Sequence, residues 1–280
     1  MSPAKTARAK RPAPPRVAKV TAPRILVLRA AGTNCDLETA FAFRQVGAET
    51  AAIHVNEVVR RPAALAGFHG LAIPGGFSHG DDLGAGTVLG TRIRTRLIDG
   101  IRRIVDRGGV VLGICNGFQV LAKTGLVPGF DDSVERTVTL AANASNRYED
   151  RWVTLEVTTD RCVFLRAGET YRVPVAHAEG RLLPLDEKVR KRLHADGHVA
   201  VRYVGPEGKH PAPYPWNPNG AVDDIAGLTD ATGRILGLMP HPERHQFPWQ
   251  DTRFHRDGAG AMPDGLRMFA HAVEHLRLAF

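Results

Sequence analysis

The chain has little cysteine, no long apolar run and, over its first 24 residues, no acidic side chain. Its cysteines, Cys35, Cys115 and Cys162, are odd in number and lack a CxxC spacing. That excludes a disulfide framework and a zinc cage, and it fits a reducing, cytoplasmic setting. Apolar stretches such as Ile25–Leu28 and Val110–Leu112 fall far short of the about 18 consecutive apolar residues of a membrane span. An integral membrane protein is therefore not expected.

The missing acids also decide how the net charge of +8 is read. Lys5, Arg8, Lys10, Arg11, Arg16, Lys19 and Arg24 leave only +1 for everything downstream. A balanced body behind a basic leader is not the pattern of a surface that tracks phosphates, so nucleic acid is not an expected partner. Rich in Ala and Pro, residues 1–23 are expected to form a disordered extension. A transit peptide is the rival reading, but prolines at 3, 12, 14 and 15 would interrupt an amphipathic helix, and no secretory apolar core is present. Residues 24–280 are long enough to bury a sizeable core as one domain.

That body alternates strand and helix signals. Arg24–Arg29, 50–55, Gly70–Ile73 and 109–114 are short apolar runs of strand length, while 36–46 and 88–105 carry apolar residues at helical spacing. Asp36 is placed as an N-cap and Gly47 as a helix stop. Such alternation predicts an α/β fold with a mostly parallel sheet covered by helices on both faces. Beyond about residue 143 the runs 152–158, 171–175, 199–204 and 235–239 read as strands with few helices between them. They predict a mixed-strand addition to the same domain. Five prolines make 206–220 irregular, and 266–278 closes the chain as an amphipathic helix.

The chemistry concentrates at Val110-Val-Leu-Gly-Ile-Cys-Asn-Gly-Phe-Gln-Val-Leu121, where a strand runs into Cys115 and a helix follows. A side chain on such an elbow sits at the carboxyl end of the sheet, over the positive end of a helix, and both favour a nucleophilic thiolate. Gly113 and Gly117 relieve the crowding of the turn. Cys35 and Cys162 lack this context and read as core or loop thiols.

A thiolate needs a base, and two pairs are written His-x-Glu, His177/Glu179 and His241/Glu243. In extended chain i and i+2 face the same way, so either glutamate could orient its imidazole. His241 has the better setting, after the apolar run 235–239, but the residues leave both pairs open. His54, His194 and His271 read as structural. In 73–82, two glycines follow a strand, and the amides of Gly76 and Asn116 are candidates for an oxyanion hole. No GxxxxGK[ST] or GxGxxG loop is present to hold a nucleotide in this chain.

These residues resemble the class I glutamine amidotransferases, through 113–119 and Met239-Pro-His-Pro-Glu-Arg244. Gly32-Thr-Asn-Cys-Asp36, 74–81, Ala176-His-Ala-Glu-Gly-Arg181 and Asn217-Pro-Asn-Gly220 narrow the likeness to the branch that serves phosphoribosylformylglycinamidine synthase in purine biosynthesis. The resemblance covers most of 24–280. It implies a flavodoxin-like sheet and a triad in which Cys115 forms a γ-glutamyl thioester, His241 moves protons and Glu243 orients His241. Gly76 and Asn116 match the oxyanion-hole positions, Gln119 matches a residue of the glutamine pocket, and no metal is implied. His177 and Glu179 match a segment near the site, outside the triad. The family commonly has an aromatic residue at the positions of His79 and Asp82.

The implied partners are L-glutamine and a large synthetase subunit, which would hold ATP and magnesium, with a small third subunit as a further candidate. This chain would carry no cofactor. Service to another synthetase and a non-catalytic module that binds through the leader are the alternatives.

Overall fold

The first apolar run folds as β1 (Arg24–Arg29) and leads through a glycine-bearing turn into α1 (Asp36–Gln45). β2 (Glu49–His54), α2 (Val55–Arg60) and β3 (Gly70–Ile73) follow. The computed structural model describes residues 20–131, 133–258 and 262–280. Of the leader expected over 1–23, residues 1–19 lie outside the described ones. The carbonyls of Thr21 and Pro23 accept hydrogen bonds from Arg277 Nε and the Glu49 amide, both at 2.9 Å.

Asp36 is not the N-cap. Cys35 occupies that position, and the buried Asp36 carboxylate begins the helix, 2.6 Å from Arg29 Nε. A negative charge in the first turn is favourable there without the cap's backbone bond. Gly47 does stop the helix, with φ 87°. The single helix expected over 88–105 is two, α3 (Thr87–Arg96) and α4 (Ile98–Asp106), broken at Leu97. The halves have different neighbours: a side chain on Gly90 would meet Lys123, and one on Gly100 would meet Leu65. A straight helix cannot follow both.

β4 (Val110–Ile114) and α5 (Asn116–Thr124) form the elbow. The later half adds β5 (Val138–Ala141), β6 (Glu149–Val157), β7 (Thr170–His177), β8 (Arg181–Pro184) and α6 (Glu187–Ala195). It ends with β9 (Val199–Tyr203), β10 (Ile225–Thr229), β11 (Ile235–Leu238), the short α7 (Phe254–Asp257) and α8 (Asp264–Ala279). No helix among the described residues is long and apolar enough to cross a membrane.

The main sheet runs β2-β1-β3-β4-β11-β10-β9-β6-β7. The pairs among β2, β1, β3, β4 and β11 are parallel, and from β10 onward the pairing is antiparallel. The five parallel strands therefore have the flavodoxin-like order, and the antiparallel strands are the mixed addition. β5 and β8 form a separate antiparallel ribbon. In α8, Leu266, Met268, Phe269, Val273 and Leu276 are all buried, and the Phe269 ring meets Phe43 edge-on at 4.8 Å.

The segment 206–220 is irregular apart from one short turn at Pro206–Gly208. Its far end supports the site. Asn219 Nδ2 donates to the Gly180 carbonyl at 2.8 Å, and the Ala144 amide donates to the Asn219 carbonyl at 3.0 Å. Hydrogen bonds of this kind, one from a side chain and one from the backbone, give a loop a defined path without regular structure.

Candidate active site

The carboxyl ends of four of the five parallel strands converge, and each of the four brings a residue to the same cavity. Asn34 follows β1, Gly76 follows β3, Cys115 follows β4 and His241 follows β11. In doubly wound sheets this edge is where ligands bind. Cys115 has φ 50° and ψ −104°, a conformation L residues rarely adopt, held because strand and helix leave the turn no other path. Its Sγ lies 3.8 Å from the Ala176 carbonyl oxygen at the end of β7.

The glycines of the elbow permit close packing. A Cβ on Gly117 would overlap the Ile73 carbonyl oxygen, so α5 can sit against β3 only with glycine there. Gly117→Ala is expected to destabilise the protein by about 2–4 kcal/mol through overpacking and backbone displacement, read as a lowered midpoint in urea unfolding. An unchanged midpoint would show that the elbow can shift at no cost.

His241 is 1% exposed and donates from Nδ1 to Glu243 Oε1 at 2.6 Å. The pair does not meet along an extended strand. Pro242 opens a one-turn 3₁₀ segment, Pro242–Arg244, that carries Glu243 around to the ring, while the His241 amide donates to the Pro174 carbonyl of β7 at 2.7 Å. Burial opposes charge on the imidazole, yet the Glu243 carboxylate and the Cys115 thiolate outweigh it and raise the His241 pKa well above its ordinary value. With Nδ1 engaged, Nε2 is the nitrogen left for proton transfer, and it has no hydrogen-bond partner among the described residues.

The other pair is not a dyad. His177 Nδ1 meets Asn143 Oδ1 at 3.2 Å, and Asn143 Nδ2 donates to the His177 and Arg147 carbonyls. That arrangement makes the asparagine oxygen the acceptor and puts the His177 proton on Nδ1. Burial, followed by the charge on His241, pushes the His177 pKa down to about 3, so the ring is neutral at physiological pH. Glu179 and His177 both line the cavity, together with Gln119.

Asn116 joins the elbow to the loop after β3. Its Oδ1 accepts from the Ser78 amide at 3.1 Å, and its Nδ2 donates to Asp81 Oδ1 at 3.1 Å and Gln119 Oε1 at 2.9 Å. Gln119 Nε2 in turn donates to the Glu179 carbonyl at 2.6 Å. Gly76, with φ 136°, could not carry a side chain, because a Cβ would fall 2.6 Å from the Gly32 carbonyl oxygen. This network sets the Gly76 loop beside Cys115 and α5.

A model of the CobB/CobQ-like glutamine amidotransferase domain matches residues 22–276. The chain belongs to this family. It is 45% identical over 253 residues to phosphoribosylformylglycinamidine synthase subunit PurQ of Dehalococcoides mccartyi, covering 90% of this chain and 97% of that protein. The protein of the same name from Methanococcus maripaludis is 40% identical over 267 residues, with 90% and 97% covered. Among solved structures, a chain of PurLQS from Thermotoga maritima superposes with a TM-score of 0.67 at 29% identity, covering 91% of this chain and 99% of that one.

Within this glutamine amidotransferase domain, Cys35 is a buried thiol in the loop before α1, in keeping with its reading as a core or loop thiol, and it also touches the site. Its Sγ is 4.0 Å from His241 Nδ1, and Arg244 Nη2 donates to it at 3.2 Å. The cavity-lining Arg244 was not singled out from the residues. A ligand atom from each of Cys35, His241 and Glu243 lies within 4.8 Å of the others, as a metal would require. However, His241 and Glu243 are engaged with each other, and a guanidinium rests on the thiol. His79 and Asp82 are not among the residues that line the cavity. Cys162 is buried, and burial pushes its thiol pKa up to about 12, consistent with an inert core thiol.

Proposed function

We propose that the chain is the glutaminase subunit of phosphoribosylformylglycinamidine synthase, and that it hydrolyses L-glutamine at Cys115 to supply ammonia to a synthetase partner. The carrying observation is the buried His241–Glu243 pair beside a strained Cys115 elbow, in a chain that covers nearly the whole length of PurQ relatives.

In this reading the Cys115 thiolate attacks the side-chain carboxamide carbon, and the amides of Gly76 and Asn116 stabilise the developing oxyanion. His241 gives its Nε2 proton to the departing nitrogen, the C–N bond breaks, and ammonia leaves a γ-glutamyl thioester. Neutral His241 then takes a proton from water as the water adds to the thioester carbon. The C–S bond breaks, glutamate departs, and the thiolate is restored beside a protonated His241. Glu243 keeps the imidazole in the orientation and tautomer that both steps need. Gln119 belongs to the wall of the glutamine pocket.

The partner is a large synthetase subunit, which holds ATP and magnesium and makes formylglycinamidine ribonucleotide. The name PurLQS of the solved relative is the ground for including a small third subunit. This chain works without a cofactor of its own, in the cytoplasm. Treating the assembled complex with a diazo-ketone glutamine analogue and mapping the adduct by mass spectrometry tests the reading. An adduct on Cys115 that L-glutamine prevents is expected. Intact, partner-bound protein that stays unlabelled would overturn it.

A further inference from the structure

The cavity holds two carboxylates that the chemistry above does not use. Asp81 and Glu179 both line it, alongside Cys115 and Gln119. Asp81 reaches it from a turn in which His79, Gly80 and Asp81 have φ of 56°, 69° and 52° in succession. Non-glycine residues in this region cost about 1–3 kcal/mol each and persist only where the surroundings hold them. Here two donors hold the side chain, since Asp81 Oδ1 accepts from the Gly86 amide at 3.2 Å and from Asn116 Nδ2 at 3.1 Å. The second donor belongs to the residue next to Cys115. The carboxylate is therefore fixed relative to the nucleophile.

The cations that share the cavity are engaged elsewhere, His241 with Glu243 and Arg244 with Cys35. Burial raises the Asp81 pKa first of all, and the acids Glu179 and Asp82 raise it further, while the uncharged Gly86 and Asn116 donors pull it down. A half-buried carboxylate with a second beside it and no ion pair of its own among the described residues is an incomplete arrangement. It is completed by a ligand that brings positive charge. An α-amino acid does so, and a simple carboxamide does not.

We propose, on the reading that this cavity takes L-glutamine, that Asp81 receives the substrate's α-ammonium group, with Glu179 adding to the negative field. The pair makes the site selective for the amide of an α-amino acid. Asp81 touches substrate at the end remote from the reacting carbon, so its interaction is equal in ground and transition states. Its loss raises KM and leaves kcat largely intact.

Asp81→Asn tests the charge alone, because asparagine keeps an Oδ1 acceptor for Gly86 and Asn116. The measurement uses the complex with its synthetase partner and reads KM and kcat for L-glutamine, together with the inhibition constant of glutaramate. Glutaramate has the same carboxamide and carboxylate but no ammonium. KM for L-glutamine is expected to rise about 10- to 100-fold, with kcat within about threefold and the glutaramate constant within about twofold of wild type. Glu179→Gln shifts KM in the same direction by less. A parallel rise in KM and in the glutaramate constant, or a fall in kcat at unchanged KM, would assign Asp81 to support of Asn116 and overturn the proposal, as would no change in any of the three. Wild-type complex that leaves L-glutamine unhydrolysed would refute the glutaminase reading itself.

Discussion

Cys115→Ala is expected to abolish amidation with glutamine as nitrogen donor while ammonium salts continue to support it in the assembled complex. The expected loss of glutamine turnover is at least about 10⁴-fold, since removing a covalent nucleophile leaves only binding and oxyanion stabilisation, which produce no thioester. Neither remaining thiol can substitute. Cys35 lies on the Nδ1 side of the His241 ring, where Glu243 already holds that nitrogen, and Cys162 is buried with its thiol pKa raised to about 12. Alanine retains the positive φ of the elbow at no greater strain than cysteine and fills less space, so the subunit should fold and dock. Steady-state rates with glutamine and with ammonium chloride, measured on one preparation, check both halves. Substantial glutamine use by the variant would move the nucleophile elsewhere. Loss of the ammonium-dependent rate as well would mean that the elbow matters to assembly.

Legibility in the sequence followed the range of the interaction concerned. β1, β3 and β4 are buried on both faces, so their apolar runs announce them. α6 was missed because Glu187–Ala195 is mostly charged and offers only Val189 and Leu193 to the interior. Its Asp186 cap, whose Oδ1 accepts from the Val189 amide at 2.7 Å, was nevertheless a local signal. The break at Leu97 carries no glycine or proline and follows from where the neighbours lie. In the site, Cys115 and the two His-x-Glu pairs were visible because each is local in the chain. Choosing between the pairs by residues alone was not possible, because the partner that sets His177 apart is Asn143, 34 residues away. Cys35 and Arg244 are 209 residues apart, and their meeting at His241 leaves no spacing to read. A general rule did place Cys35 within reach of notice, since it directly follows the loop at the carboxyl end of the first parallel strand.

Glu243→Gln is the second large effect expected, and its signature is lost activity with a shifted alkaline limb. The His241–Glu243 pair is buried, and Glu243 Oε2 has no hydrogen-bond partner among the described residues. Removing one partner of a buried charged pair leaves the other uncompensated, at a cost of about 3–5 kcal/mol where the pair is ionised, and because Glu243 raises the His241 pKa that cost is largest at low pH and fades as pH rises and His241 loses its proton. Catalysis responds differently. The charge of Glu243 helps to hold the His241 pKa above its ordinary value, and its carboxylate keeps the ring proton on Nδ1 when the imidazole is neutral. Without it, kcat is expected to fall by about 10²- to 10⁴-fold, the range seen when the third member of a triad loses its charge. The direction of the pH effect follows. Protonated His241 is needed to expel ammonia, and a raised pKa keeps it protonated to higher pH, so removing Glu243's charge moves the alkaline limb of kcat to lower pH. Thermal unfolding and pH–rate profiles of wild type and variant separate the two roles. A lowered Tm whose deficit narrows as pH rises, with collapsed activity and a downward-shifted alkaline limb, is the expected outcome. A lowered Tm with an unshifted limb would make Glu243 a structural group, and the proton chemistry at His241 would then have to be oriented by its backbone bond to Pro174 and the packing of the cavity wall.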